Sequence, residues 1–231
     1  MATAKEILDE VASIFATKWQ TREGRKIPEA EDVQLGNDAV TLSGTVIYAD
    51  LRDSTGLVTG FKDWFAAEVY KAYLLSACRL IRERGGQITA FDGDRVMAVF
   101  IGNSKNTAAA KTALHINWIV RKVNELLATS YPNTSYRIRH AVGIDTSSLF
   151  VARTGVRNSN DLVWVGRAAN YAAKLCALAT EDYPTFITDE VFKLLAAASK
   201  VGGNPPRMMW EKVMWPQKGI PVHRSNWWWE L

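Results

Sequence analysis

Cysteine is nearly absent: Cys78 and Cys176 are the only two in 231 residues, too few for a disulfide framework and lacking metal-thiolate spacing. Long apolar runs are missing too. The longest, Val96 to Ile101, falls far short of the roughly 20 residues a membrane-spanning helix needs. No secretory leader is legible, because Lys5, Glu6, Asp9 and Glu10 interrupt any apolar core. These absences place the chain in the cytoplasm with no membrane span. Histidine is sparse as well: His115, His140 and His223 form no H-E-x-x-H pair, and Gly102-Asn103-Ser104-Lys105 lacks the spacing of a P-loop. Lysine and arginine exceed the acidic residues by only 28 − 24 = 4. That excess suits a polyanionic small molecule, but without a clustered basic tract it does not call for nucleic acid.

What is present is periodicity. Ile7, Leu8, Val11, Ile14, Phe15 and Trp19 share one face of a predicted N-terminal helix, which packs on the domain or on a partner subunit. Residues 1–40 read as this helix and a connecting loop, and 41–231 as one compact domain. Within that domain Thr45–Ala49 reads as a strand and 57–84 as a long helix stopped by Gly85-Gly86. Gln87–Phe91 and Arg95–Ile101 read as a hairpin turned at Asp92-Gly93. A second helix follows over 106–129, then strands at 136–145, 149–154 and 161–165. Helices at 166–180 and 189–199 and strands at 208–214 and 222–227 complete the chain. This order predicts an α+β domain, a ferredoxin-like βαββαβ plan with helices packed on a largely antiparallel sheet.

Asp50 ends the first strand and Asp94 opens the strand after the tight turn. If those strands are neighbours, both carboxylates converge at one sheet edge, where they and phosphate oxygens can cage a pair of divalent cations.

Three blocks then resemble the signatures of one family. Tyr48-Ala49-Asp50-Leu51-Arg52-Asp53-Ser54-Thr55 resembles the first metal-binding segment of class III nucleotidyl cyclases, and 91–100 (FDGDRVMAVF) the second. Gly155-Val156-Arg157 followed by 161–175 (DLVWVGRAANYAAKL) is similar to their transition-state segment. The order and intervals match across about residues 43–225. The resemblance implies a class III cyclase domain in which Asp50, Asp94 and the Leu51 carbonyl hold two divalent cations, Mn²⁺ or Mg²⁺. It places Arg52, Asp53, Ser54 and Thr55 around the β- and γ-phosphates, with Lys218 on the terminal phosphates. Asn170 would orient the ribose, and Lys174, one turn later, would stabilise charge on the α-phosphate. It also implies a homodimer whose composite active sites take the aspartates from one subunit and Asn170 and Lys174 from the other.

The chain departs from that family at three places. Lys174 stands where an arginine is typical, a point charge without the guanidinium fork. The two positions that read a purine edge in adenylate cyclases are here Ala90 and Val163, so both means of hydrogen bonding adenine are gone. This pattern is similar to the bacterial Pycsar pyrimidine cyclases. It implies conversion of UTP to 3′,5′-cyclic UMP and diphosphate as a signal in antiphage defence, read by a separate cyclic-nucleotide effector. Tyr48, Trp164 or another bulky side chain would fill the volume of a purine, the alternative being that Tyr48 and Trp164 are plain core aromatics. The alternatives are a cytidylate cyclase, an adenylate or guanylate cyclase with atypical base recognition, and a catalytically dead nucleotide-binding module. The run Trp227-Trp228-Trp229 is expected to pack against the sheet or the dimer partner, or to offer a base-stacking platform.

Overall fold

The computed structural model describes residues 2–156 and 158–231; Arg157, quoted in the third block, lies outside them. In chain order the elements are α1 (Ala4–Ala16), β1 (Gln20–Glu23), β2 (Asp38–Leu51), α2 (Ser54–Gly60), α3 (Asp63–Glu83), β3 (Gln87–Asp92) and β4 (Arg95–Phe100). Then follow α4 (Lys105–Ser130), β5 (His140–Val156), β6 (Ser159–Val165), α5 (Arg167–Cys176), β7 (Thr185–Thr188) and α6 (Asp189–Lys193). The chain closes with β8 (Val201–Gly202), β9 (Arg207–Met208), β10 (Glu211–Trp215) and β11 (Ile220–Ser225).

The residues divide into two units, Met1–Ser43 with Ser148–Gly166, and Gly44–Ser147 with Arg167–Leu231. The smaller unit groups the N-terminal region with the hairpin of the distal part of β5 and β6, which pair antiparallel from Phe150↔Val165 to Val156↔Ser159. Val163 sits in that hairpin opposite Ala152. β1, within a stretch whose sequence predicts a connecting loop, runs parallel to the start of β2 from Gln20↔Asp38 to Glu23↔Thr41. Its four residues are all exposed, so no apolar alternation announces it. α1 begins with a capping box between Thr3 and Glu6, and its end is tied by Asn37 Nδ2, which donates to the Ile14 and Thr17 carbonyls at 2.8 and 2.6 Å.

The larger unit carries the strand order β10-β11-β7-β5-β2-β4-β3. Its β5-β2-β4-β3 portion is the ferredoxin-like βαββαβ order, with β2/β4 and β3/β4 antiparallel. β7 joins β5 in parallel and β11 antiparallel. The central stretch Thr45, Val46 and Ile47 is fully buried, as β-branched residues in a strand covered on both faces should be. α3 buries Phe65, Ala66, Val69, Tyr73, Ala77, Leu80 and Ile81, the i, i+3, i+4 stripe expected of a helix lying on a sheet. α4 packs beside it, burying Ala109, Ala110, Ala113, Leu114 and Ile116.

Several expectations need correction. The long helix is two: α2 closes where the Phe61 N–H bonds the Leu57 carbonyl at 3.1 Å, and extended Lys62 (φ −68°, ψ 145°) starts α3. Apolar spacing runs through the break and hides it. The strands expected at 136–145 and 149–154 are one, β5, because Thr146 and Ser147 stay in the ladder instead of turning. β7 was missed; all four of its residues are buried, but the run is too short to show a period. The helix expected over 189–199 shortens to α6 and a separate turn of 3₁₀ helix at Ala197–Ser199.

The tryptophan run packs against α4. Trp229 N–H donates to the Leu114 carbonyl (3.1 Å), Asn117 Nδ2 donates to the Trp227 carbonyl (2.7 Å), and a His115 ring nitrogen meets the Trp229 carbonyl (3.1 Å). Arg207, Arg121 and Lys111 lie over the rings of Trp227, Trp228 and Trp229 respectively.

Candidate active site

β2 and β4 pair with Asp50 opposite Arg95, and the Leu51 N–H donates to the Asp94 carbonyl at 3.2 Å. The turn before Asp94 is made by Gly93 at φ +61°, a left-handed conformation that glycine adopts without strain. Asp50 and Asp94 are thereby brought to one cavity of about 570 Å³, lined by residues 50–55 and 92–95 and, from α5 and its end, Ala173, Cys176, Ala177 and Ala179. All of these residues lie in the larger unit.

Burial, and secondly the neighbouring Asp94 carboxylate, push the Asp50 carboxyl up to about 6. A half-buried carboxylate facing another is a place where a cation lowers the energy. Among the described residues no three His, Cys, Asp or Glu side chains gather into a metal cluster. A cation here would therefore complete its shell with a backbone carbonyl such as that of Leu51, with water and with phosphate oxygens, the hard donors that Mg²⁺ and Mn²⁺ prefer.

The loop Arg52–Thr55 forms one wall. Asp53 takes a left-handed conformation (φ +59°) ahead of α2 and pairs with Arg139, Nη2 to Oδ2 at 2.7 Å. The Arg52 N–H bonds the Arg139 carbonyl at 2.9 Å. α2 has only seven residues, so its dipole is short, yet the N–H groups of its first turn precede the first closing hydrogen bond.

α5 is anchored firmly. Asp145, fully buried, receives Arg167 Nε at 3.0 Å and Thr188 Oγ1 at 2.6 Å, while Arg167 Nη2 also donates to the Thr146 carbonyl at 2.7 Å. Ser147 Oγ accepts the Ala168 N–H at 3.0 Å, and the Cys176 thiol donates to the Tyr48 carbonyl at 3.6 Å. Gly143 lets the helix approach, since a Cβ there would sit 2.0 Å from the Ala172 carbonyl oxygen.

The sequence-selected residues divide accordingly. Asp50, Leu51, Arg52, Asp53, Ser54, Thr55 and Asp94 meet at the cavity. Asn170 and Lys174 are exposed on α5 and do not line it. Tyr48 and Ala90 are both partly buried and stand beside the same β4 residue, Met97, outside the lining. Lys218 lies in the β10–β11 turn, its Nζ 4.6 Å from the centre of the Tyr171 ring and 5.6 Å from that of Trp215. Val163 belongs to the smaller unit, as does Trp164, which is buried. Two residues escaped the sequence reading. Arg95 lines the cavity, holds Asp92 (Nε to Oδ2, 3.0 Å) and lies 5.9 Å from the Tyr48 ring centre. Arg139, just ahead of β5 and far from the loop in sequence, braces it. Arg95 follows Asp94 directly and could have been found on adjacency; Arg139 left no local signal.

Comparison with solved structures finds the guanylyl cyclase Cya2 at TM-score 0.68 and 18% identity, covering 82% of this chain and 94% of that one. The adenylyl cyclase CyaB from P. aeruginosa matches at TM-score 0.69 and 17% identity, over 81% and 95%. The fold is that of a class III nucleotidyl cyclase domain. No protein-family model matches the chain. Among curated proteins, uridylate cyclases of Xanthomonas perforans and Burkholderia cepacia are each 46% identical over the whole length of both chains. That of Rhodovulum sp. (strain MB263) is 36% identical over 99% of this chain and 98% of its own. The chain belongs to the family of these uridylate cyclases, and it is a nucleotidyl cyclase.

Proposed function

We propose that the protein closes UTP into 3′,5′-cyclic UMP with release of diphosphate, using divalent cations, and that the product signals to a separate effector in antiphage defence. The observation that carries the chemistry is the meeting of Asp50 and Asp94 beneath the loop Arg52–Thr55. The base preference is supported by the full-length relatives named uridylate cyclase and by the apolar residues Ala90 and Val163 where purine readers would stand. The defence role and Mn²⁺ in preference to Mg²⁺ rest on the resemblance, and a cytoplasmic location on the scarcity of cysteine and of long apolar runs in the sequence; no described helix is long and apolar enough to cross a membrane.

Asp50, Asp94 and the Leu51 carbonyl would hold the cations, which when bound lower the pKa of the ribose 3′-hydroxyl and offset charge on the phosphates. The loop Arg52–Thr55 cradles the β- and γ-phosphates. As the 3′-oxygen bonds the α-phosphorus, its proton passes to water and the bond to the bridging oxygen of the diphosphate breaks in line. Lys174 and Lys218 stabilise the charge that grows on the α-phosphate and the leaving diphosphate. Tyr48, with Arg95 beside its ring, limits the base to a pyrimidine.

The exposed positions of Asn170 and Lys174 support a homodimer. The cavity takes only small residues of α5 from its own chain, leaving the ribose and α-phosphate contacts to a second copy. Incubating the protein with each of the four ribonucleoside triphosphates and Mn²⁺, then separating products by chromatography, tests the reading. Cyclic UMP as the main product supports it. Cyclic CMP, a cyclic purine nucleotide or no product at all would replace it with one of the alternatives.

A further inference from the structure

Arg52 lines a second cavity besides the one holding Asp50 and Asp94. It has a volume of about 410 Å³, within the range of small-molecule sites, and all its residues belong to the larger unit. Arg52, Arg121, Arg137 and Arg139 line it against two carboxylates, Glu181 and Asp182. Arg139 is the only one of the four with an ion pair among the described residues, and its partner is Asp53, outside this cavity. The walls therefore carry an excess of positive charge. The floor is polar and ordered: buried His140 and Thr185 Oγ1 both meet Asn117 Oδ1, at 2.8 and 3.1 Å. At the rim stands Trp228, 43% exposed, with Arg121 5.1 Å from its ring centre.

We propose that this cavity is a second ligand site, which takes a phosphate-bearing anion and is coupled through Arg139 to the loop Arg52–Thr55. Guanidinium groups bind phosphate through paired charge-assisted hydrogen bonds. Several of them around one concavity leave a carboxylate ligand or an apolar one less well matched than a dianionic phosphate. The exposed face of Trp228 can stack a base if the phosphate is carried by a nucleotide.

The coupling follows from what Arg139 already does. Its guanidinium braces Asp53 and its carbonyl holds the Arg52 N–H. The Arg139 and Asp53 side chains are 42% and 57% exposed, and a pair so exposed contributes little. A phosphate in the cavity can therefore recruit Arg139 and release Asp53, shifting the wall on which the substrate phosphates of the proposed reaction rest. The coupling depends on that proposed reaction; the binding does not.

The test uses the full chain without divalent ions, with inorganic phosphate and adenosine 5′-monophosphate as separate probes in equilibrium dialysis. Arg137→Glu and Arg121→Ala remove exposed charges that line this cavity and not the other. The expected result is saturable binding of at least one probe, weakened by about tenfold or more in Arg137→Glu. Equal strength of the two probes identifies a plain phosphate site. Tighter nucleotide binding that falls in Trp228→Ala identifies a nucleotide site. No binding, or binding untouched by both arginine variants, overturns the proposal. With cyclase turnover as the second readout, the bound probe should change KM for the triphosphate several-fold in the wild type and not in Arg137→Glu; an unchanged KM in the wild type overturns the coupling. A protein that turns over no triphosphate yet binds the probe would contradict the proposed function while leaving this site standing.

Discussion

The backbone N–H of Leu51 donates to the carbonyl oxygen of Asp94 at 3.2 Å. This bond carries the contact between β2 and β4 one step past the Asp50↔Arg95 pair, so the main chain sets Asp50 and Asp94 one position apart across neighbouring strands. A site set this way does not depend on side-chain packing to bring its acids together, and isosteric changes at Asp50 or Asp94 leave the ladder intact.

Composite sites make a prediction that no single-chain site shares. Asp50→Asn and Lys174→Ala should each be inactive alone. Mixed after dissociation and reassociation, half the dimers are hybrids, each with one intact site, restoring about a quarter of wild-type turnover. An assay of the mixture checks this; no recovery argues for a site complete within one chain.

Gly143→Ala places a methyl 2.0 Å from the Ala172 carbonyl oxygen on the backbone of α5. Overpacking against backbone costs about 1–3 kcal/mol. Because the displaced helix carries Asn170 and Lys174, kcat should fall further than stability does, which thermal melting and steady-state kinetics measured together will show.

Removing the cation that answers Asp145 tests the anchor of the same helix. Arg167→Met leaves a carboxylate of zero exposure with only its hydroxyl and backbone partners. Arg167 is itself 42% exposed, so the loss is about 2 kcal/mol, below that of a fully buried pair. Denaturant unfolding at neutral pH measures it, and Arg167→Lys should recover part.

Much of the fold was legible because strand ends and turns carry local chemistry. Asp92-Gly93 announced the β3–β4 hairpin, Gly85 at φ +82° ended α3, and the order βαββαβ followed. What stayed hidden lacked a local signal. β1 is entirely exposed, β7 is four buried residues, and the α2–α3 break interrupts the backbone without interrupting apolar spacing. The carboxylate edge was legible in the same way, from Asp50 at a strand end and Asp94 after a turn. The bracing Arg139–Asp53 pair spans 86 positions in sequence, which no motif encodes. The exposure of Asn170 and Lys174 depends on which face of α5 the sheet takes, a matter of tertiary packing.

His140 makes folding stability depend on pH. Burial, and secondly the nearby Arg52 charge, lower its pKa to about 4 from the ordinary imidazole value of 6.5. Between those values the unfolded chain binds the proton and the folded one does not. Stability is therefore fully present above pH 6.5 and is lost as pH falls toward 4, by about 3 kcal/mol in all. Denaturant midpoints across that window should show this slope, and His140→Gln should flatten it.

The carboxylate pair is tested most directly by replacing its members one at a time. Turnover of UTP with Mn²⁺ should fall more than about a hundredfold in both Asp50→Asn and Asp94→Asn. The melting temperature of Asp50→Asn should be no lower than wild type, because a neutral amide relieves the burial and repulsion that raise the Asp50 pKa. Turnover within about threefold of wild type in either well-folded variant would contradict the account.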